Sequence, residues 1–366
     1  MTKKIRVAIV ADDLTGAMDT ASPFAKRGAA TRVVCDRNDL ARALSTPCDV
    51  LSINTETRHL DEARAAAAVD ETVRLIAAAS PDVLFKKIDS TLRGNVAVET
   101  VAVLNASDKT SAVILPAMPS QGRTVKDGHV FIDGVLLADT PIGRDKLSPP
   151  PLENLQTIFG DVACAVPDCE TQDTLNRMAE QALAEAGSTL LVGAGGLGAS
   201  LADLLFGTRK RAPSFHISDG PILFVVGSRT PLAAGQVERL QTSDPDGFRH
   251  VEPGASMDGL NSARLIVLKP PMADADATRV AAQMAATAEQ IIARCAPAAM
   301  LMTGGDTALA VLNRLQRSVV DVLGEVLPGI ALSQIMVGDK LLPIVTKAGG
   351  FGNGNLFVDV SRFFRT

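Results

Sequence analysis

The chain has 366 residues, of which 46% are hydrophobic, and this length predicts two domains with buried cores. A net charge of −5 argues against a broad basic face for nucleic acid, and the absence of Trp and Tyr argues against a platform for stacking single-stranded bases. Five cysteines without a Cys-x-x-Cys pair, and no apolar run near the roughly 20 residues of a membrane span, predict a cytoplasmic protein with reduced thiols and no membrane partner.

Short apolar runs alternate with Ala- and Leu-rich helical patterns along most of the chain. The predicted strands are residues 7–11, 32–35, 49–53, 83–88, 112–115, 189–192, 222–226, 265–268, 299–302 and 343–346. The predicted helices are residues 61–79, 171–186, 231–240, 275–295 and 307–315. This alternation predicts an α/β fold of two domains, each a largely parallel sheet flanked by helices. In such sheets, ligands bind beyond the carboxyl ends of the strands.

Two segments interrupt the alternation. Residues 116–152 are rich in Pro, Gly and charge and too long for an ordinary connection, which indicates a functional excursion. Residues 207–221 hold a basic run followed by turn formers. The predicted domains are therefore residues 1–215 and 216–366.

The first polar cluster lies in "VAIVADDLTGAMDTA", where Asp12 and Asp13 follow a strand and precede a helix. Carboxylates at this position can orient a hydroxyl or accept its proton. Either one could instead cap the helix or hold the turn, and the sequence leaves both interpretations open.

A denser cluster follows the apolar pair at 83–84, in "FKKIDSTLRGN". In a strand Lys86 and Lys87 point to opposite faces, so a sheet covered on both sides must desolvate them. Asp89 and Arg93 could pair with these lysines, which would be a purely structural role. The further side chains Ser90, Thr91 and Asn95, together with Gly94, favour a site for a hydroxylated anion.

The excursion contains "PAMPSQGRTVKDGH", in which Gly122 and Arg123 follow two prolines and indicate a stiffened loop with a further anion contact. His129, as an isolated histidine, is more often structural than catalytic.

Glycines 193, 195 and 198 match the dinucleotide-binding spacing in form. That motif also requires an acidic residue about 20 residues further on, which is missing here. Tight strand–helix packing explains the glycines better. An NAD-dependent dehydrogenase of a small hydroxy acid stays open as an alternative.

Three stretches in the second half place glycines and small hydroxyls at the carboxyl end of a strand: "VVGSRTP", "MTGGDTA" and "TKAGGFGNGN". Two of them then open a helix, whose free N–H groups and dipole favour phosphate. Together they predict a site for a nucleotide polyphosphate. The chain has no Gly-x-x-x-x-Gly-Lys-Ser/Thr motif, so this site is not a P-loop.

Six motifs in this order, "ADDLTGAMDTA", "FKKIDSTLRGN", "PAMPSQGRTVKDGH", "VVGSRTP", "TGGDTA" and "KAGGFGN", resemble the four-carbon acid sugar kinases. The resemblance covers nearly the whole chain. It implies a substrate-binding domain at 1–215, a nucleotide-binding domain at 216–366 and an active site in the cleft between them. It also implies transfer of the ATP γ-phosphoryl group to the terminal hydroxyl of a tetronate such as D-threonate, D-erythronate or 3-oxo-tetronate.

Site residues follow from the resemblance together with the clusters above. The nucleotide contacts are Ser228, Gly304, Gly305, Asp306, Thr307, Gly349 and Gly350. The acid-sugar contacts are Asp12, Asp13, Lys87, Asp89, Ser90, Arg93, Gly122 and Arg123.

The catalytic candidates among these residues are Asp12 or Asp13, which would accept the hydroxyl proton, and Arg93, which would hold the sugar carboxylate. Mg²⁺ would bridge the phosphates, with Asp306 as a candidate carboxylate, and other metal ligands are not assigned. A homodimer is the default expectation. A non-catalytic sugar-acid sensor with nucleotide as effector is the third class left open.

Overall fold

The computed structural model describes residues 4–145, 149–209, 213, 215–271 and 276–365. The chain divides into two compact units, residues 1–211 and 212–366. This division lies four residues before the domain boundary expected from the sequence. None of the helices in the described ranges has the length and apolarity needed to cross a lipid bilayer.

The first unit is built on a seven-stranded parallel sheet. Its strands, with those of a small second sheet, are β1 Val7–Ala11, β2 Thr31–Val34, β3 Val50–Asn54, β4 Val83–Lys87, β5 Ser111–Leu115, β6 Arg123–Lys126, β7 His129–Ile132, β8 Val135–Leu136, β9 Cys164–Ala165 and β10 Thr189–Gly193. Its helices are α1 Leu14–Lys26, α2 Leu40–Leu44, α3 Glu62–Ala78, α4 Val96–Ala106, α5 Leu155–Phe159, α6 Gln172–Ala184 and α7 Gly195–Phe206.

The strand order of the large sheet is β2-β3-β1-β4-β10-β5-β9, and every pairing is parallel. Its central strands are uninterrupted buried runs, as expected where helices cover both faces. Register aligns Ala11 with Asn54 and Lys87, and Gly193 with Lys87 and Leu115. The segments that follow β1, β3, β4, β5 and β10 therefore start from one edge of the sheet.

The excursion at 116–152 contains a three-stranded antiparallel sheet of β6, β7 and β8, which the sequence analysis did not predict. Two Asp-Gly pairs connect its strands, and Asp127, Gly128, Asp133 and Gly134 all have positive φ. This conformation is typical of two-residue hairpin turns, in which Asp-Gly is a preferred sequence.

The second unit has seven strands in the order β12-β13-β11-β14-β17-β16-β15. The strands are β11 Ile222–Val226, β12 Phe248–Val251, β13 Leu265–Leu268, β14 Ala299–Thr303, β15 Val319–Leu327, β16 Ile330–Val337 and β17 Lys340–Lys347. The helices are α8 Pro231–Ser243, α9 Ala277–Cys295, α10 Gly305–Arg314 and α11 Leu356–Phe363.

The five strands from β12 to β17 are parallel, and β17, β16 and β15 form an antiparallel meander. The sequence analysis missed β12, β15 and β16 and made β17 too short. Register aligns Val226 with Thr303 and Thr303 with Lys347. Each of the three glycine-containing turns therefore begins at the same edge of this sheet.

Candidate active site

In the first unit, a buried carboxylate–guanidinium pair lies at the edge where β1, β3 and β4 end. Arg58 Nε donates to Asp12 Oδ2 at 2.7 Å, and its Nη2 donates to Oδ1 at 2.9 Å. Gly94 lies against this pair, since a Cβ there would be 3.0 Å from Asp12 Oδ2, and its φ is +88°. Glycine is the residue that tolerates both constraints. The sequence analysis missed Arg58, although it follows a buried strand as the predicted residues do.

Asp13 has the capping role that the sequence left open. Its Oδ1 accepts hydrogen bonds from the backbone N–H of Gly16 at 2.9 Å and from Arg58 Nη2 at 2.8 Å. The Thr15 hydroxyl donates to its Oδ2 at 2.6 Å. Asp13 thus begins α1 and is also part of the polar cluster.

The environment of Asp12 favours its ionised form. Burial acts to raise the pKa of Asp12, but the charge and hydrogen bonds of Arg58 outweigh it, so the pKa lies below its usual value. Asp12 is therefore a fixed anionic hydrogen-bond acceptor at neutral pH.

The two lysines of β4 differ in their surroundings. Lys86 forms an ion pair with Glu99 of α4, with Nζ and Oε2 2.7 Å apart and both side chains 1% exposed. The structural alternative, in which Asp89 and Arg93 pair with the lysines, does not hold, because these two residues pair with each other. Arg93 Nε donates to Asp89 Oδ2 at 2.8 Å, and Nη2 donates to Oδ1 at 3.0 Å. Glu99 was missed because it lies inside helix α4, outside every motif noted in the sequence.

Lys87 is buried, yet no carboxylate in the described part of the chain lies within ion-pair distance of its ammonium group. A Cβ on Gly16 would lie 3.0 Å from Lys87 Nζ and 2.5 Å from Asp13 Oδ1, so glycine leaves room between these groups. An ammonium group held in this way is suited to a bound anion.

Asp19, on α1, is a further acidic residue of this region that the sequence analysis missed, although it lies inside the first motif. The Thr20 hydroxyl donates to its Oδ1 at 2.8 Å. Burial raises the pKa of Asp19 to about 6, although the charge of Lys87 acts in the opposite direction.

Asp89 is also held as an anion. Burial acts to raise its pKa, but Arg93 and Arg58 outweigh this, and the pKa lies well below the usual range. The Thr91 hydroxyl also donates to Asp89, and Ser90 beside it is buried. The Arg93 side chain remains one-third exposed, at 34%, so a ligand can reach it.

Gly122 and Arg123 lie where the small sheet begins. Gly122 has φ +73°, and a Cβ on it would collide with the Asp133 carboxylate. The Arg123 guanidinium donates to the carbonyl of Gln121. The structure therefore explains Gly122 by its turn, and a ligand contact for either residue stays a prediction.

The glycines of the 193–198 stretch pack against protein atoms. A Cβ on Gly193 would lie 2.5 Å from the Leu115 carbonyl oxygen, and one on Gly198 would lie 2.7 Å from Thr20 Cγ2. The contact of Gly198 brings α7 close to α1, and the contact of Gly193 brings the end of β10 close to the end of β5. They support the packing interpretation over a dinucleotide site.

In the second unit, the turns after β11 and β17 contact each other. The Thr230 hydroxyl caps α8 by accepting from Ala233 N at 3.3 Å and donates to the Gly349 carbonyl at 3.2 Å. Ser228 Oγ lies 3.1 Å from Thr230 Oγ1, and a Cβ on Gly349 would be 2.5 Å from Ser228 Oγ. Glycine at 349 thus lets the two turns approach closely.

The turn after β14 joins the same group. Gly304 has φ +97°, and a Cβ on it would lie 3.3 Å from Ser228 N. Gly305 begins α10, Asp306 is exposed in its first turn, and Thr307 is buried against Gly227. The structure therefore brings Ser228, Gly304, Thr307 and Gly349 together, with the N-termini of two helices that favour phosphate. No atom would crowd a Cβ on Gly350 within 4 Å.

Lys347, the last residue of β17, is a further residue that was not among the predicted site residues. It is 1% exposed, and its Nζ donates to Thr303 Oγ1 at 3.3 Å and to the Gly349 carbonyl at 3.2 Å. Burial lowers its pKa to about 8. Its position at the end of a strand, in a motif already noted for phosphate, was the signal that could have identified it.

The described residues contain no group of three or more His, Cys, Asp or Glu side chains placed to hold a metal ion. Mg²⁺ would therefore fit here only if the nucleotide phosphates and water supplied most of its ligands and the protein supplied one or two carboxylates. Asp306 is the acidic residue in the first turn of α10 and suits that mode.

Two known families match separate parts of the chain, one in each unit. A family model described as a sugar-binding N-terminal domain matches residues 7–161, and one described as a nucleotide-binding C-terminal domain matches residues 262–357. Fold and family models thus define a two-domain α/β protein, in which one part matches a sugar-binding family and another matches a nucleotide-binding family.

Similar proteins specify the family. D-threonate kinase of Bordetella bronchiseptica is 31% identical, over 98% of this chain and 97% of its own length. D-erythronate kinase of Heliobacterium modesticaldum is 26% identical, over 95% of this chain and 94% of its own length. The chain belongs to the four-carbon acid sugar kinase family, which confirms the resemblance seen in the sequence.

Solved structures agree over the whole chain. A Bordetella bronchiseptica structure, described as a domain-swapped dimer with bound citrate, is 30% identical and covers 98% of each chain with a TM-score of 0.52. A Haemophilus influenzae structure covers 98% of this chain and 100% of its own with a TM-score of 0.72 at 21% identity, which confirms the fold.

Proposed function

We propose that this chain is an ATP-dependent kinase that phosphorylates the terminal (C4) hydroxyl of a four-carbon acid sugar. D-threonate, D-erythronate and 3-oxo-tetronate are the candidate substrates, because relatives are named as kinases of each. The observation that carries the proposal is the division of chemistry between the units. One holds buried cations and carboxylates at its strand ends, and the other holds glycine-containing turns at two helix starts.

The carboxylate of the acid sugar would bind Lys87 and Arg93. Lys87 offers a buried ammonium group, and Arg93 keeps a reachable guanidinium although one side of it is bound to Asp89. The citrate in the Bordetella bronchiseptica structure supports a site for small carboxylates in this family. Asp89 and Ser90, with Gly122 and Arg123, would contact the remaining polar groups of the substrate.

The reacting hydroxyl would donate to Asp12 or Asp13, which Arg58 holds in place. Phosphoryl transfer needs little proton abstraction before the bond to phosphorus forms, so a carboxylate of low pKa serves first as an orienting acceptor. It accepts the proton late, when the oxygen has become an ester oxygen and the proton is acidic.

ATP would lie along the turns after β11, β14 and β17, contacting Ser228, Gly304, Gly305, Asp306, Thr307, Gly349 and Gly350. The first N–H groups of α8 and α10 would meet its phosphates. Mg²⁺, when bound with ATP, neutralises charge on the β- and γ-phosphates, and Asp306 is the side chain that would hold it. An active site in a cleft between the two domains stays a prediction.

A coupled assay of ADP release, over the four tetronates and the 3-oxo acids, tests the proposal. We expect saturable turnover that requires Mg²⁺ and one of these acids, and a strong loss of kcat in at least one of Asp12→Asn and Asp13→Asn. Near-normal kcat in both variants would show that neither carboxylate is the base. ATP binding without turnover of any acid would favour a sensor, and thermal protection by NAD but not ATP would favour a dehydrogenase.

A further inference from the structure

We propose that Lys347 is the side chain that receives the nucleotide phosphates, and that nucleotide binding makes this lysine take up a proton. The inference rests on the proposed function and extends it. It names the cation of the phosphate site and adds a pH dependence to nucleotide affinity.

Lys347 is a buried cation without a compensating anion. Its side chain is 1% exposed, and its two hydrogen-bond acceptors, the Thr303 hydroxyl and the Gly349 carbonyl, are neutral. Throughout the residues that the structure describes, no carboxylate lies within 4.0 Å of its Nζ. Burying a charge in this way is costly unless a partner of opposite charge arrives.

Among the residues that the structure describes, no other charged group shifts the pKa of Lys347. Phe357 of α11 presents its ring with the centroid 5.9 Å from Nζ, which is a weak attraction. The charged side chains on the adjoining turns are Arg229 and Asp306, and both are exposed. Burial alone accounts for the lowered pKa of Lys347, about 8.

The position of Lys347 favours phosphate as the anion that this lysine would bind. Register places it beside Thr303 at the edge where α10 begins, and its Nζ contacts the same Gly349 that Thr230 of the α8 cap contacts. Two helix N-termini and an uncompensated ammonium group thus meet at one place. A carboxylate ligand would satisfy one of these groups, whereas a polyphosphate has enough oxygens for all three.

Proton uptake follows from the two states of the site. At pH 8, a lysine with a pKa near 8 is about half protonated in the free protein, and polyphosphate beside it favours the charged form. Binding should then take up a fraction of a proton near pH 8 and a larger fraction, up to one proton, as the pH rises toward 9. Above pH 8, the affinity should fall by up to about tenfold per pH unit.

Isothermal titration of the full chain with MgATP, without acid sugar, measures this directly. Between pH 7.5 and 9.5 the phosphates of ATP do not titrate, so the protein alone is the source of any change. Titrations at one pH in buffers of different ionisation enthalpy give the number of protons taken up. We expect the uptake and the loss of affinity stated above for the unaltered protein.

Variants then assign the proton to Lys347. Lys347→Met should bind MgATP at least tenfold more weakly at pH 7.5 and show no proton uptake. Lys347→Arg, which keeps its charge across this range, should retain more affinity and lose the pH dependence. Lys340→Met is the matched control, since Lys340 lies exposed at the other end of the same strand and should behave as the unaltered protein.

The outcomes separate the inference from the proposed function. MgATP bound without proton uptake and with constant affinity over this range would overturn the inference and leave the kinase proposal intact, whether or not the variants fold. Unchanged affinity in Lys347→Met would also overturn it. Failure of the unaltered protein to bind MgATP at all would overturn the proposed function itself.

Discussion

Arg58 fixes Asp12 through two parallel hydrogen bonds, from Nε to Oδ2 at 2.7 Å and from Nη2 to Oδ1 at 2.9 Å. The same Nη2 reaches Asp13 Oδ1 at 2.8 Å, and the Arg58 side chain is 11% exposed. One guanidinium therefore sets the positions of two carboxylates before any ligand arrives. Such preorganisation lowers the cost of orienting a hydroxyl for reaction.

Replacing Arg58 by Lys should separate charge from geometry. The ammonium group keeps the charge but cannot make the planar, bidentate contact, so both carboxylates lose their fixed positions. We expect kcat/KM for the acid sugar to fall about 100-fold, with KM for ATP unchanged. Steady-state kinetics with each substrate varied in turn measure this.

Arg64→Lys is the control, because Arg64 pairs with Asp61 where both side chains are exposed, at 71% and 56%. It should leave the kinetics unchanged. Acid-sugar kinetics within twofold of normal in Arg58→Lys would show that the pair is structural.

Arg58 also shows how far the sequence alone predicts this site. The rule that polar residues at the ends of buried parallel strands form the site selected Asp12, Lys87 and Ser228, and the structure places all three at or just after such strand ends. The same rule applied to the segment after β3 would have found Arg58. The ion partner of Lys86 could not be predicted from this rule, because Glu99 lies on a helix and only tertiary packing brings the two side chains together.

The antiparallel part of the second unit was missed for a different reason. Strand β15 alternates buried and more exposed residues over its first six positions, and β16 does so only in its second half, whereas the predicted strands were short continuous apolar runs. Strand β17 begins at Lys340 and not at the predicted residue 343, because its first residues pair with β16. Strands of this kind are defined by their neighbours as much as by their own sequence.

The buried pair of Lys86 and Glu99 predicts an asymmetric response to mutation. Glu99→Gln leaves the Lys86 charge buried without an ion partner, and we expect a loss of about 3–5 kcal/mol in the free energy of unfolding. Replacing both residues, as Lys86→Met with Glu99→Leu, should restore stability to within about 1 kcal/mol of the starting value or exceed it. Urea denaturation of the variants measures these differences.

Asp82→Asn is the control for this series, because the pair of Asp82 with Lys4 is exposed and should contribute less than about 1 kcal/mol. A double variant as unstable as Glu99→Gln would contradict the explanation and indicate a packing role for these side chains.

Gly349→Ala tests the close approach of the nucleotide turns. The new Cβ would lie 2.5 Å from Ser228 Oγ, so Ser228 or the turn must move. We expect KM for ATP to rise about tenfold, with KM for the acid sugar unchanged, since the altered contacts belong to the second unit. Gly235→Ala on α8 is the control, because no atom lies within 4 Å of its Cβ position. Equal KM values for ATP in the two variants would contradict the prediction.

Asp19 should make stability depend on pH in the direction opposite to a paired carboxylate. An unfolded aspartate has a pKa of about 3.9, and burial raises the folded value to about 6. The folded state therefore binds the proton more tightly, and this contribution to stability, full below about pH 4, is lost as the pH rises through 6. The free energy of unfolding of Asp19→Asn should then match that of the unaltered protein near pH 4 and exceed it by about 2 kcal/mol above pH 7, a value reduced because the side chain is partly exposed.

Urea denaturation at intervals from pH 4 to 8 gives the difference between the two proteins as a function of pH. Asp161→Asn, whose side chain is exposed in the loop after α5, should show no such rise. A difference that stays constant with pH would show that folding does not shift the pKa of Asp19, and one that falls as the pH increases would show that Asp19 is held ionised in the folded protein.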